Sequence, residues 1–222
     1  MPKVKVPRKS TNIDMTAMCD VAFLLLSFFI LATKTKPPEV LTVETPSSVS
    51  TRIVPEKDVV LISIDHEGRV FFSLSDNNRD QKLAIIETVD KARNLGLTDA
   101  QKKAFGKSNS FIGVPFSQLG SFLLTPADDL KKIKMDGIPV TDSTNNQLID
   151  WMLAAKSAFE GKRMELLVKG DNNSKYPSFQ GVIAAFKKND LMKFSMITNP
   201  EGVPTGSELS KENQRKSAAG TK

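Results

Sequence analysis

The sequence is poor in the residues that build metal sites and covalent cross-links. Its single cysteine, Cys19, cannot form an intramolecular disulfide, and no cysteine or histidine cluster has the spacing of a zinc site. The single histidine, His66, has no partner at a spacing that indicates catalysis. P-loop, dinucleotide, serine-elbow and metal-cluster motifs are also missing. We therefore expect neither an enzyme nor a bound metal or cofactor.

The charge distribution argues against a second class of function. The net charge of +6 owes much to the first nine residues, where Lys3, Lys5, Arg8 and Lys9 supply four positive charges. The rest of the chain has no basic stripe interleaved with aromatic residues, so we expect no nucleic-acid binding. Contents of 40% hydrophobic and 25% charged residues are ordinary for a globular protein. The 222 residues have room for one domain with short additional segments.

One hydrophobic segment, MTAMCDVAFLLLSFFILAT at residues 15–33, stands out. Its uninterrupted run begins at Val21 and is about 20 Å long as a helix, too short for a hydrocarbon core of roughly 30 Å. A basic start before a short apolar run is also typical of a cleaved signal peptide, but no small-x-small cleavage site follows. A helix that starts at Met15 is about 28 Å long and can span. We favour this anchor, with residues 1–14 in the cytoplasm and the chain after Lys34 outside the inner membrane.

A spanning helix places Asp20 inside the membrane. Helical spacing puts Thr16, four residues before, and Ser27, seven residues after, on the same face as Asp20. A charged carboxylate at the membrane centre costs about 2.5–3.5 kcal/mol, and desolvation favours its protonated form. Such a group behaves as a proton relay. In the alternative interpretation, Asp20 marks the cytoplasmic edge of the membrane, among solvated headgroups, and has no function.

Two stretches of the chain resemble the ExbD/TolR family. IDMTAMCDVAFLLLSFFILAT, residues 13–33, is similar to the family's N-terminal helix and aligns Asp20 with the family's essential membrane aspartate. It departs from many members at Ala17, where they have proline. MELLVKGDNNSKYPSFQGVIAAFKKNDLMKFSMIT, residues 164–198, is similar to the family's closing strand, helix and strand. In the first of these strands the family's Lys/Arg-x-Asp ending matches Lys169 to Asp171.

The resemblance implies an inner-membrane motor subunit that couples the proton motive force to TonB-dependent transport across the outer membrane. Its helix would dimerise inside a ring of ExbB/TolQ-like subunits, in contact with lipid, and its outer domain would act on a TonB-like protein. Asp20 would carry the proton, with Thr16 and Ser27 as the supporting polar face. A TolR-like subunit for envelope integrity and a membrane-anchored periplasmic binding module without proton coupling remain alternatives.

The resulting fold class is α+β, with one transmembrane helix and a small extracytoplasmic mixed α/β-sandwich domain. We expect a proline-rich linker at 34–57, the domain at 58–206 with a helical insertion at about 77–140, and a disordered tail at 207–222. Within the linker, EVLTVETPSSV at 39–49 resembles the family's post-membrane strand and Leu-Pro-like segment, which would pair with another chain. The alternative, which we favour, is a plain spacer.

Local patterns predict the elements of the domain. Two strand-like runs surround the turn at His66, within a hairpin at 59–74. Thr98 and Gln101 form a capping-box pattern after a helix that stops near Gly96. The remaining predicted elements are a short helix from Thr125 and Pro126, a core-facing helix at 142–159, a strand at 165–169, a helix with the buried stripe Phe179, Val182, Ile183 and Phe186, and a strand at 193–198.

Overall fold

The computed structural model describes residues 15–33, 43–49, 54, 55, 57–107, 111–126, 129, 135–142, 144–202, 207, 210 and 211. It divides into two compact units, Met1–Glu39 and Val40–Lys222. The described part of the first unit consists of helix α1, Thr16–Ala32. The second unit combines helices with a mixed β-sheet, which confirms the α+β class.

The predicted hairpin is confirmed in the second unit. Strands β2, Val59–Ile64, and β3, Val70–Leu74, pair antiparallel, with Ile62 opposite Phe72. The turn between them contains Gly68 at φ +82°, a backbone conformation that suits glycine. Its register is fixed by Asp65, whose buried carboxylate accepts hydrogen bonds from the backbone N–H of Arg69 at 2.8 Å and from its guanidinium Nε at 2.6 Å.

The central sheet has the order β3-β2-β4-β5. Strand β4, Glu165–Gly170, runs parallel to β2, and β5, Ser195–Met196, runs parallel to β4. The strand predicted at 165–169 is thus confirmed, whereas the one predicted at 193–198 pairs over two residues only. On β2 and β4, residues of even number contribute to the buried core, as period-two alternation requires.

Five helices are defined among the described residues of this unit: α2 Arg79–Arg93, α3 Asp99–Lys107, α4 Phe116–Leu124, α5 Leu148–Ala158 and α6 Tyr176–Lys188. Asn94, in the left-handed conformation, ends α2 two residues before Gly96. The predicted capping box is confirmed, since the Thr98 N–H donates to Gln101 Oε1 at 2.7 Å and the Gln101 N–H to Thr98 Oγ1 at 3.4 Å.

Helix α5 begins later than the sequence predicted. Asp142 forms a turn instead, because its carboxylate accepts hydrogen bonds from the Thr144 backbone N–H at 2.9 Å and its hydroxyl at 2.7 Å. The predicted apolar stripe of α5 is confirmed by the full burial of Leu148, Met152 and Ala155. The stripe of α6 is confirmed at Val182 and Phe186, while Phe179 and Ile183 are half-buried.

The region predicted as an insertion shares the core of the sheet. Trp151 of α5 is fully buried and packs against Phe72 of β3, Phe105 of α3 and Phe116 of α4. Ile112 forms an antiparallel bridge with Phe72, so the chain between α3 and α4 covers the outer edge of β3. The helix predicted from Thr125 and Pro126 and the tail after Ser207 lie largely outside the described residues.

Candidate functional site

Helix α1 is built from the apolar run around Asp20. The backbone of Met15 is also helical, and its carbonyl accepts the Cys19 N–H at 2.9 Å. The helix ends at Thr33, which is extended and whose hydroxyl donates to the carbonyls of Phe29 at 2.9 Å and Ile30 at 3.0 Å. Within the described part of the chain, no helix combines the length and the apolar character that a membrane crossing requires.

The three predicted site residues lie on one side of α1, as their spacing requires. Asp20 and Thr16 are exposed, and Ser27 is half-buried. The Ser27 hydroxyl donates to the carbonyl of Leu24 at 3.0 Å, so its proton is directed at its own helix. Phe23, three residues after Asp20 and four before Ser27, falls between them on this face. The polar face is therefore interrupted by an aromatic ring.

The apolar side chains of α1 are exposed all around the helix. Every described residue of α1 except Ser27 has an exposed side chain, and the exposed fraction reaches 67% at Phe23 and 86% at Leu31. An apolar surface of this extent on a helix indicates a partner, either another protein or lipid. Asp20 is the single ionisable side chain on this surface besides Cys19.

The second unit carries a paired segment where the sequence left a strand and a plain spacer open. Residues 43–48, here called the strap, lie against the chain that follows β4 and against the segment after β5. Strand β1 of the strap, Ser47–Ser48, pairs in parallel with β6, Asn199–Pro200. The expected linker at 34–57 thus contains an element that binds its own chain, and the described residues of 39–49 are not a plain spacer.

Asp171 anchors one end of the strap. Its Oδ2 accepts a hydrogen bond from the Glu44 N–H at 3.0 Å, and its Oδ1 accepts one from the Asn173 N–H at 2.9 Å. The Asn172 N–H returns a bond to the Glu44 carbonyl at 2.9 Å. Hydrogen bonds from Asn173 and Glu44 lower the pKa of Asp171 from its usual 3.8, with a smaller contribution from the charge of His66, while burial acts in the opposite direction.

Asn199 anchors the other end. Its Oδ1 accepts the Thr45 hydroxyl at 2.8 Å, its Nδ2 donates to the Thr45 carbonyl at 3.0 Å, and its backbone N–H donates to the Pro46 carbonyl at 2.9 Å. The Glu201 N–H donates to the Ser48 carbonyl at 2.9 Å. A carboxamide can donate and accept at once, which suits it to hold a backbone on both sides. In the sequence, the position of Asp171 directly after the apolar strand β4 was the signal that could have indicated its anchoring role.

The single histidine of the sequence lies apart from the strap anchors' hydrogen bonds and close to an acidic neighbour. His66 lies in the hairpin turn with 63% of its side chain exposed, 3.9 Å from the carboxylate of Glu67. Among the described residues, no three histidine, cysteine or acidic side chains are grouped so that they could hold a metal ion.

In the described part of the chain, an exposed apolar helix that carries a carboxylate is followed by a small α+β domain. The family model described as biopolymer transport protein ExbD/TolR matches residues 7–201, and the chain belongs to this family. Comparison with the curated proteins finds no match, and comparison with the solved structures finds none either.

Family membership has general consequences for the chain. Members of the ExbD/TolR family are motor subunits that energise biopolymer transport and are not known as enzymes. They are typically anchored in the inner membrane and generally work with ExbB/TolQ-type and TonB/TolA-type partners. The family description covers ExbD and TolR together, so it leaves the output of the motor open.

Proposed function

We propose that the chain is a single-pass inner-membrane subunit that couples the proton motive force to TonB-dependent transport across the outer membrane. The observation that carries this proposal is the family match over residues 7–201, which includes the whole of α1 with Asp20. In this topology residues 1–14 are cytoplasmic, 15–33 cross the membrane, and the domain at 58–206 is periplasmic. The positive charges before the helix support the orientation.

The exposed surface of α1 supports the proposed partners. Two copies of the helix would pair inside a ring of ExbB/TolQ-like subunits, and lipid would surround that assembly. The apolar side chains, of which Phe23 and Leu31 are the most exposed, would pack against the ring or against the second copy. The periplasmic domain would pass the resulting motion to a TonB-like protein.

Asp20 would carry the proton. Moving an ionised carboxylate into the membrane costs about 2.5–3.5 kcal/mol, while one charge crossing 100 mV gains about 2.3 kcal/mol. Because these energies are similar, protonation of Asp20 is able to decide whether the helix can occupy a closed, apolar position in the ring. Thr16 and Ser27 would support the proton path or the packing of the helix on the same face.

Replacing Asp20 by asparagine tests this function in cells. The Asp20→Asn variant keeps the shape of the side chain but cannot ionise, so energy-dependent uptake should be lost while the protein still inserts and assembles. Asp14→Asn, the same chemical change six residues earlier, is the matched control and should retain uptake. Retained uptake in Asp20→Asn would leave the anchor-only binding module as the better account. Loss of envelope integrity with normal uptake would favour a TolR-like output.

A further inference from the structure

The strap is attached to the domain by hydrogen bonds with little apolar burial. None of its six residues is fully buried, and Glu44 and Ser47 are exposed. Val43 packs against the edge of the core as a half-buried side chain. The β1–β6 pairing spans two residues, and so short a ladder is weak by itself. Docking of the strap therefore depends on the side chains that hold it, chiefly Asp171 and Asn199.

We propose that Asp171 and Asn199 are positioning residues that hold the strap on the domain and thereby limit how far along the chain α1 can lie from its first fixed point on the domain. The docking itself does not depend on what the protein does. Its mechanical consequence rests on the proposed function, because only a motor requires a connection of defined length between a moving helix and the domain it acts through.

Chain length gives the size of the effect. With the strap docked, ten residues, 33–42, separate α1 from the first residue of the strap, and a chain of this length can span no more than about 40 Å. With the strap released, 26 residues, 33–58, connect α1 to β2, and the limit rises to about 95 Å. The longer connection would absorb a displacement of the helix as slack. The docked strap instead transmits the displacement to the segment after β4 and to β6.

Each anchor uses both polar atoms of its side chain. One oxygen of Asp171 holds the turn at Asn173 and the other holds Glu44, so an asparagine at this position keeps one acceptor and turns an N–H₂ toward a donor. Asn199 accepts from and donates to Thr45. Alanine at 199 removes both bonds while leaving the backbone in place. These two substitutions should loosen the strap without changing any side chain of the apolar core.

Hydrogen exchange on the full-length chain tests the docking directly. Four backbone N–H groups donate hydrogen bonds that join the strap to the domain and are present only when the strap is docked. They belong to Glu44, Asn172, Asn199 and Glu201. In Asp171→Asn and Asn199→Ala they should exchange about tenfold faster, since each variant loses hydrogen bonds from one anchor.

The controls separate a released strap from a loosened domain. The amides of Ile112 and Ile138, which bond to β3, should be unchanged in both variants. Asp142→Asn is the matched control, because Asp142 caps a turn at Thr144 that does not touch the strap. Unchanged exchange at the four strap amides overturns the proposal, and so does equal acceleration at Ile112 and Ile138.

A cross-link tests the consequence for function. In a Cys19→Ser background, Ser48→Cys and Pro200→Cys place cysteines on residues that are partners in the β1–β6 register. Asp171→Asn should lower energy-dependent uptake several-fold. Oxidation of the two cysteines to a disulfide should restore uptake, and addition of a reductant should abolish it again. Insertion of sixteen glycine and serine residues between 33 and 43 should reproduce the loss with both anchors intact.

The outcomes distinguish failure of this inference from failure of the proposed function. If the strap amides exchange faster but uptake is normal, while Asp20→Asn is inactive in the same assay, the tether length has no role and the inference is wrong. If Asp20→Asn is also active, the proposed function is wrong, and the exchange measurement alone decides whether Asp171 and Asn199 hold the strap.

Discussion

The carboxylate of Asp171 accepts a hydrogen bond from the backbone N–H of Glu44 at 3.0 Å, across a separation of 127 residues in the chain. This bond joins the segment that follows α1 to the end of β4, the strand at the middle of the sheet's parallel part. The strap is therefore held at the carboxyl end of β4 and at β6.

Docking of the strap should depend on pH through Asp171. Its pKa in the folded protein lies below the usual 3.8, because the N–H groups of Asn173 and Glu44 stabilise the ionised form. Its stabilising contribution is thus complete above about pH 4 and is lost as the pH falls through the folded pKa. Protection of the Asn172 amide, corrected for intrinsic exchange rates, should fall over that range.

The groups that face Asp171 make this prediction specific. The charge of His66 is one of the causes that lower the pKa of Asp171, so His66→Gln should move the transition to higher pH. The carboxyl of Asp142 also has a lowered pKa, held by Thr144, but its protonation should leave the Asn172 amide protected. A strap transition that persists unchanged in Asp171→Asn would contradict the assignment.

Trp151 should dominate the stability of the domain. Its ring centroid lies 5.2 Å from that of Phe72 and 5.7 Å from that of Phe116, and its side chain is fully buried. Trp151→Ala should cost about 3–5 kcal/mol in the free energy of unfolding, measured with urea. The indole N–H of Trp151 is buried, and among the described residues it has no acceptor.

The missing acceptor predicts an unusual tolerance at this position. Trp151→Phe loses volume but also removes a buried donor whose desolvation costs about 1–3 kcal/mol. Its loss of stability should therefore be less than half that of Trp151→Ala. An equal loss for the two variants would mean that the indole N–H has a partner in solution.

Gly181 should resist substitution although it lies inside helix α6. A Cβ at this position would be 2.3 Å from the carbonyl oxygen of Val140. This oxygen belongs to the backbone, so no change of side-chain rotamer can relieve the clash. The clash should cost about 1–3 kcal/mol and outweigh the gain of about 1 kcal/mol that alanine usually gives in a helix. Gly170→Ala, where a Cβ meets nothing within 4 Å, is the control and should change stability by less than about 0.5 kcal/mol. A more stable Gly181→Ala protein would refute this packing.

Periodicity predicted the elements whose buried residues form one continuous apolar run or one stripe at helical spacing. The hairpin at Val59–Leu74 and strand β4 follow from apolar runs, and α5 and α6 follow from stripes at helical spacing. Helix α4 went unpredicted although Phe116, Leu119, Phe122 and Leu123 have helical spacing and are buried. Its nine residues give the stripe only about two and a half turns in which to repeat.

The strap could not be predicted in the same way. Its contacts depend on Asp171 and Asn199, and a hydrogen bond between residues so far apart leaves no periodic pattern in the sequence. The prolines at 37, 38, 46 and 55 predict an extended chain, but extension alone does not separate a spacer from a strand at the edge of a domain. The position of Asp20 on α1 was predictable because it requires only helical geometry.

Proton flux through the complete complex is the most direct test of the central claim. The full-length chain would be reconstituted with its ExbB/TolQ-like partner in liposomes, a potassium gradient with valinomycin would impose a membrane potential, and a pH-sensitive dye inside would report protons. The account predicts that Asp20→Asn lowers this flux at least about tenfold while the complex assembles normally, and that Asp14→Asn does not. An assembled Asp20→Asn complex that conducts protons as the wild type does would contradict it.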